Sequence, residues 1–156
     1  MIMQGAKLVV KNGAKLTCVG NCKAGMWDGI EVWGNNQNDQ DLNNIYLDAN
    51  NPSVKISSFQ GYALLTNNVT IENAKIGITA SNLSSVYNNY QTGGIINADN
   101  VHFRNNHIDA EVLWYHNLNI NAPFNEIPNK SYFKLCKFEN DAILFFSFNM
   151  AIFLSL

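Results

Sequence analysis

The sequence predicts an all-β chain, a parallel β-helix of about four rungs. Three observations carry that reading. One template recurs along the chain, and its apolar residues alternate over only three to five positions. Asparagine makes up about one residue in six, a composition that suits tight turns better than helix interiors.

The recurrence is clearest in "NVTIENAKIGI" (68–78), "NVHFRNNHIDA" (100–110) and "LCKFENDAILF" (135–145), which begin 32 and 35 residues apart. Their apolar columns are Val69, Val101 and Cys136; Ile71, Phe103 and Phe138; and Ile76, Ile108 and Ile143. "WDGIEVW" reads as the end of the same template, with Ile30 in the isoleucine column and Val32 in the next, beside Ile78, Ala110 and Phe145. Upstream, "GAKLVV" and "GAKLTC" supply short strands that match the "YALL" and "VTI" pieces of the following copy. The rungs therefore span 5–34, 61–80, 93–115 and 131 to about 146. They form a single domain over 1–146, and the apolar tail 147–156 falls outside the pattern.

No segment sustains a 3.6-residue period. A lone rung cannot bury its apolar face, but stacked rungs share one core, with successive strands about 4.8 Å apart. Three polar segments, 35–60, 81–92 and 116–130, interrupt the period, each after the isoleucine strand of its rung. Insertions at one template position are expected to project from one face, the place to look for a partner.

Charged residues are only 14% of the chain and the net charge is −2, which excludes the basic face a nucleic-acid binder needs. No lysine or arginine run suits an anionic membrane. "MIMQGAKLVV" lacks the charged and then apolar regions of a signal peptide. The stretch "AILFFSFNMAIFLSL" is too short and too interrupted for a membrane span. Its start fits the last isoleucine strand, and no cap follows. This predicts a partial helix whose open strand edges invite end-to-end self-association. Cys18 and Cys22 are spaced to bridge in an oxidising compartment, Cys136 stands alone, and no second pair completes a zinc site.

The asparagine column Asn73, Asn105 and Asn140 lies between apolar columns and is expected to form an internal amide ladder. Trp27 holds the equivalent place in the first rung and would cap it. Glu72, Arg104 and Glu139 alternate in sign and are expected to pair from rung to rung, each pair contributing about 0–1 kcal/mol. Arg104 is also the basic residue a polysaccharide lyase would use. His102, His107 and Asp109 share a rung with it, but strand alternation sends His102 and Asp109 to different faces, and His116 opens a loop as a solvated residue. Asp109 and Glu111 point to one side of a strand, roughly 7 Å apart by strand rise; they are the carboxylate pair on offer for glycoside hydrolysis. Asp39 and Asp41 suggest calcium, yet their loop lacks the glycine and distal glutamate of an EF-hand, so neither metal nor cofactor is assigned. Trp33, Trp114 and Tyr115 stand at loop mouths, either as sugar-stacking platforms or as pins for the loop bases.

The motifs "MWDGIEVWGN", "GYALLTNNVTIENAKIGI" and "GGIINADNVHFRNNHIDAEV" resemble the pectin-lyase-like, right-handed β-helix regions of large secreted or surface proteins of Bacteroidota, which commonly end in a type IX secretion sorting domain. The likeness covers roughly residues 5–140. It implies a right-handed helix, export to the cell surface, a stalk or adhesin-like role and contact with polysaccharide or cell-surface glycan. It carries over no catalytic residue. The first expectation is thus a non-catalytic structural or adhesive segment. The alternatives are a polysaccharide lyase or glycoside hydrolase, or a functionless fragment of such a gene.

Overall fold

A computed structural model describes residues 1–18, 25–40, 60–81, 91–119 and 122–141. The described residues are all-β with almost no helix, and most strands run parallel. One sheet holds β1 (Lys7–Lys11), β4 (Tyr62–Glu72), β6 (Ile95–Arg104) and β10 (Tyr132–Lys134) in that order. Within it β2 (Lys15–Leu16) pairs with β4, and β11 (Lys137–Glu139) pairs with β6. A second parallel sheet has the order β3 (Trp27–Glu31), β5 (Ala74–Thr79), β7 (Ile108–Glu111). A small antiparallel pair, β8 (Leu118–Asn119) with β9 (Ala122–Glu126), lies apart from both.

Register follows the repeat. Val69 faces Val101, Ile71 faces Phe103, and Phe138 faces Phe103 from the other side. In the second sheet Ile76 faces Ile108 and Ile78 faces Ala110. "GAKLVV" and "GAKLTC" lie against the two halves of β4, Leu8 on Ala63 and Leu16 on Ile71. Strands β4 and β6 are long because each spans a turn position without losing its ladder. Asn67, Asn68 and Asn100 take left-handed φ values of 62°, 63° and 57° there, and the register slips between Thr66 and Val69.

The inward faces of the two sheets make one core, with Leu65, Val69, Ile71, Ile78, Ile96, Val101 and Phe103 all buried. Each such side chain contributes about 1.5–3 kcal/mol through removal of apolar surface from water. Phe103 stacks on Phe138 with ring centres 5.2 Å apart and Phe133 leans on both. A second cluster, Tyr62, Leu64 and Ile95, is buried on the opposite face of the first sheet.

The first repeat sits out of the register that its sequence suggests. Gly29, not Ile30, lies opposite Ile76, and Ile30 lies opposite Ile78. Val32 follows, its N–H donating to the Thr79 carbonyl at 2.9 Å. The offset is one residue at Trp27 and Gly29, and an irregularity between Gly29 and Ile30 makes it two. Gly29 has φ +97°, and a Cβ there would overlap the Ile76 carbonyl oxygen. As a result Glu31, not Trp33, shares a row with Thr79 and Glu111.

No helix among the described residues is long and apolar enough to cross a membrane. Ile143, Phe145, the tail 147–156, Cys22 and Asp41 lie outside the described residues.

Candidate functional site

The asparagine column does not form an internal ladder. Asn73 and Asn105 do take left-handed φ, 60° and 53°, as the turn between two strands requires. Their amides turn outward instead of toward each other: Asn73 donates to the Thr17 hydroxyl at 3.3 Å and Asn105 to Asp141 at 3.0 Å. Asn140 is exposed. The buried amide is the neighbour, Asn106, which donates to the Ile71 carbonyl at 3.0 Å and accepts from the Ala74 N–H at 2.9 Å. Trp27 lies opposite Ala74, not Asn73, so it caps no ladder. It packs against the core while its indole N–H donates to the Glu72 carbonyl at 2.8 Å.

Glu72, Arg104 and Glu139 are neighbours in register, as the repeat requires, yet their side chains choose other partners. Arg104 reaches Asp141 at 2.5 Å, Glu72 meets Lys15 at 3.0 Å, and Glu139 holds both Lys137 and the His102 ring, the latter at 2.7 Å. Hydrogen bonds from Asn105 and Arg104 keep the Asp141 carboxyl below its ordinary pKa, and Lys137 followed by His102 does the same for Glu139. These pairs are on the surface, where screening keeps each of them weak.

Asp109 and Glu111 share β7, each with its own partner. Asn106 donates to Asp109 at 2.9 Å, and the Thr79 hydroxyl donates to Glu111 at 3.3 Å. Burial pushes the Asp109 carboxyl up, partly offset by the Asn106 hydrogen bond and by the nearby charge of His102. His107 is exposed on the turn before β7.

The loop-mouth aromatics differ among themselves. Trp33 is half-buried, its indole N–H donating to Glu31 at 2.8 Å and its backbone stitched between Ile2 and Gly61. Tyr115 lies with its ring against Gly93, whose φ of +97° and missing Cβ make the room, and its hydroxyl donates to the Asn38 carbonyl. Burial raises its phenol pKa. Trp114 is 65% exposed with its ring edge-on to His116, and His116 pairs with Glu126 at 2.5 Å. Trp114 is thus the loop-mouth aromatic whose face is open to a ligand.

Two arrangements escaped the sequence. The first is a network of buried amides. Gln60 exchanges two hydrogen bonds with the Asn35 backbone, and Gln40 joins the Gly93 carbonyl to the Lys130 N–H. Asn117 accepts from the Gln40 N–H and donates to the Pro128 carbonyl. These contacts knit the bases of the inserted loops to one another, and nothing in local sequence marks these amides. The second is an asparagine pair at the turn inside β4 and β6, where Asn100 donates to Asn68 at 2.9 Å. Its signal was available, since asparagine precedes Val69 and Val101 alike.

Beside that pair runs a groove of about 220 Å³ lined by Asn68, Thr70, Asn100, Val101, His102, Leu135 and Lys137. Thr70, His102 and Lys137 are register partners on β4, β6 and β11, so the groove crosses three strands at one position of the repeat. Among the described residues no group of three or more His, Cys, Asp or Glu is placed to hold a metal ion. Cys136 is a free thiol and Cys18 is disulfide-bonded; Cys22, its expected partner, falls outside the described residues. No protein-family model, curated protein or solved structure matches the chain.

Proposed function

We propose that the chain is a right-handed parallel β-helix segment serving as a non-catalytic structural or adhesive region of an exported cell-surface protein, in contact with glycan. The two parallel sheets support the helical reading, because they advance through the chain by nearly the same step, 33 and then 32 residues along the β4–β6 pairing and 32 between β5 and β7. The resemblance to pectin-lyase-like surface proteins supports the location and the role. The observation that carries the non-catalytic reading is the commitment of the titratable groups. Arg104 is held by Asp141, Glu111 by Thr79, Asp109 by Asn106 and Glu139 by Lys137 and His102. Such groups brace neighbouring strands instead of converging on a reacting atom.

One observation favours a second reading, a lyase or glycosidase. The Asp109 carboxyl, its pKa raised by burial, shares a strand with Glu111, and an upward shift is the direction a general acid requires. Incubation with acidic and neutral polysaccharides, with calcium and with EDTA, separates the two. The scaffold reading expects neither unsaturated uronate absorbance nor new reducing ends. Turnover that disappears in Asp109→Asn or Arg104→Ala overturns it.

A further inference from the structure

We infer that the groove between the Asn68–Asn100 pair and the Thr70–His102–Lys137 row binds a neutral polyhydroxylated ligand, one sugar unit of an oligosaccharide chain. The inference rests on the glycan-contacting scaffold reading and gives it a site. Three features of the groove point to this ligand.

Its hydrogen-bonding capacity is open and of both kinds. The Asn68–Asn100 bond uses one oxygen and one nitrogen, leaving the Asn68 amide nitrogen as a donor and the Asn100 oxygen as an acceptor. Among the described residues no protein group bonds either atom, nor the Thr70 hydroxyl or His102 Nδ1. A sugar hydroxyl both donates and accepts, so it can satisfy mixed valences that a carboxylate, which only accepts, cannot.

The cationic residue lining the groove already has its counter-charge. Lys137 is bound to Glu139, and Glu139 also faces His102 at 2.7 Å. An anionic sugar would have to compete with that carboxylate for its cation, whereas a neutral one leaves the pair alone. The groove also carries an apolar wall. Leu135 is 76% exposed at its rim, held in a left-handed turn with φ 52°, and offers a surface for the C–H face of a sugar ring. Polar groups repeat across the three strands at about 4.8 Å, the interstrand spacing.

Titration of the full chain by NMR with a neutral β-linked gluco-oligosaccharide, and separately with a polygalacturonate oligomer of equal length, tests the proposal. The neutral sugar should shift the amides of residues 68–70, 100–102 and 135–137, with little dependence on salt. Thr70→Val and Asn100→Gly should each weaken binding about fivefold, the loss expected for one hydrogen bond, and Lys75→Ala, on the second sheet where it pairs with Asp28, should leave it unchanged. Preference for the uronate with steep salt dependence overturns the proposal. So does binding lost only in Trp114→Ala, or a folded chain that binds neither sugar. In each of those cases the scaffold reading survives, whereas turnover of either sugar would overturn the scaffold reading itself.

Discussion

Asn100 donates its side-chain amide to Asn68 across adjacent strands, and both residues sit in left-handed turns at φ 57° and 63°. The pair holds two long strands together at the point where each bends. A left-handed conformation costs most residues about 1–2 kcal/mol, asparagine and glycine less. Asn100→Ala should therefore lower unfolding free energy in urea by about 2 kcal/mol, from strain and the lost bond together. Asn100→Gly should cost less, since it removes the bond but not the permitted backbone. Equal losses would mean that the turn carries no strain.

Gly29 faces the Ile76 carbonyl with no space for a methyl group. Gly29→Ala should separate β3 from β5 and destabilise the chain by about 2–4 kcal/mol. Gly13 makes the control: its φ is +72° but a Cβ would meet nothing, so Gly13→Ala should cost about 1 kcal/mol. Thermal melts of the two variants check the ordering.

Acid should weaken the outer face of the first sheet. Glu139 and Asp141 have folded pKa values below their ordinary ones. Their stabilising contribution is therefore complete above the unfolded values of about 4.3 and 3.9 and is lost as pH falls through the folded values. Urea midpoints recorded from pH 7 to pH 2.5 should fall over the acid end of that range. The fall should be shallower in Glu139→Gln combined with Asp141→Asn.

Asp109 carries the opposite sign. Burial raises its pKa, so its charged form opposes folding at neutral pH, and protonation relieves the cost as pH falls toward the unfolded value near 3.9. Asp109→Asn keeps an oxygen for the Asn106 donor and should leave stability at pH 7 unchanged or raised. A clear loss would show that the carboxylate charge is used by something in its surroundings.

Tyr115 and Gly93 act as one clasp. Tyr115→Phe leaves the Asn38 carbonyl without its phenol donor and should cost about 1–3 kcal/mol. Gly93→Ala drives a methyl group into the Tyr115 ring. If the two act together, the double variant should lose less than the sum of the single losses, as a double-mutant cycle on denaturation midpoints would read.

These cases also mark what the sequence reveals. The pairing of β4 with β6 and of β5 with β7 is legible because "NVTIENAKIGI" and "NVHFRNNHIDA" repeat at a fixed offset with no insertion between their columns. Ile30 is misplaced by one residue more than Trp27 because an irregular step at a glycine adds no letter that alignment can see. The outward ion pairs are misassigned because register fixes which Cα atoms are neighbours, while a long side chain such as Arg104 is free to reach Asp141, two residues beyond its register partner Glu139 on the next repeat. The amides of Gln40, Gln60 and Asn117 act over separations of 11 to 90 residues, and no local pattern encodes them. The open groove at Thr70 and His102 is likewise a property of three strands side by side, not of any one.

Four of the five lysines on the strands of the first sheet fall in two outward rows, Lys11–Thr66–Asp99–Lys134 and Lys15–Thr70–His102–Lys137, with a lysine at each end of both. A second molecule continuing either row in register would set Lys134 beside Lys11 and Lys137 beside Lys15. Like charges directly opposite across strands repel, and a heterologous contact that fails to close would otherwise grow into an open filament. Lys15, Lys134 and Lys137 already hold Glu72, Asp99 and Glu139, so the repulsion a stacked copy meets is screened, and a partner strand with acids at those positions would meet none.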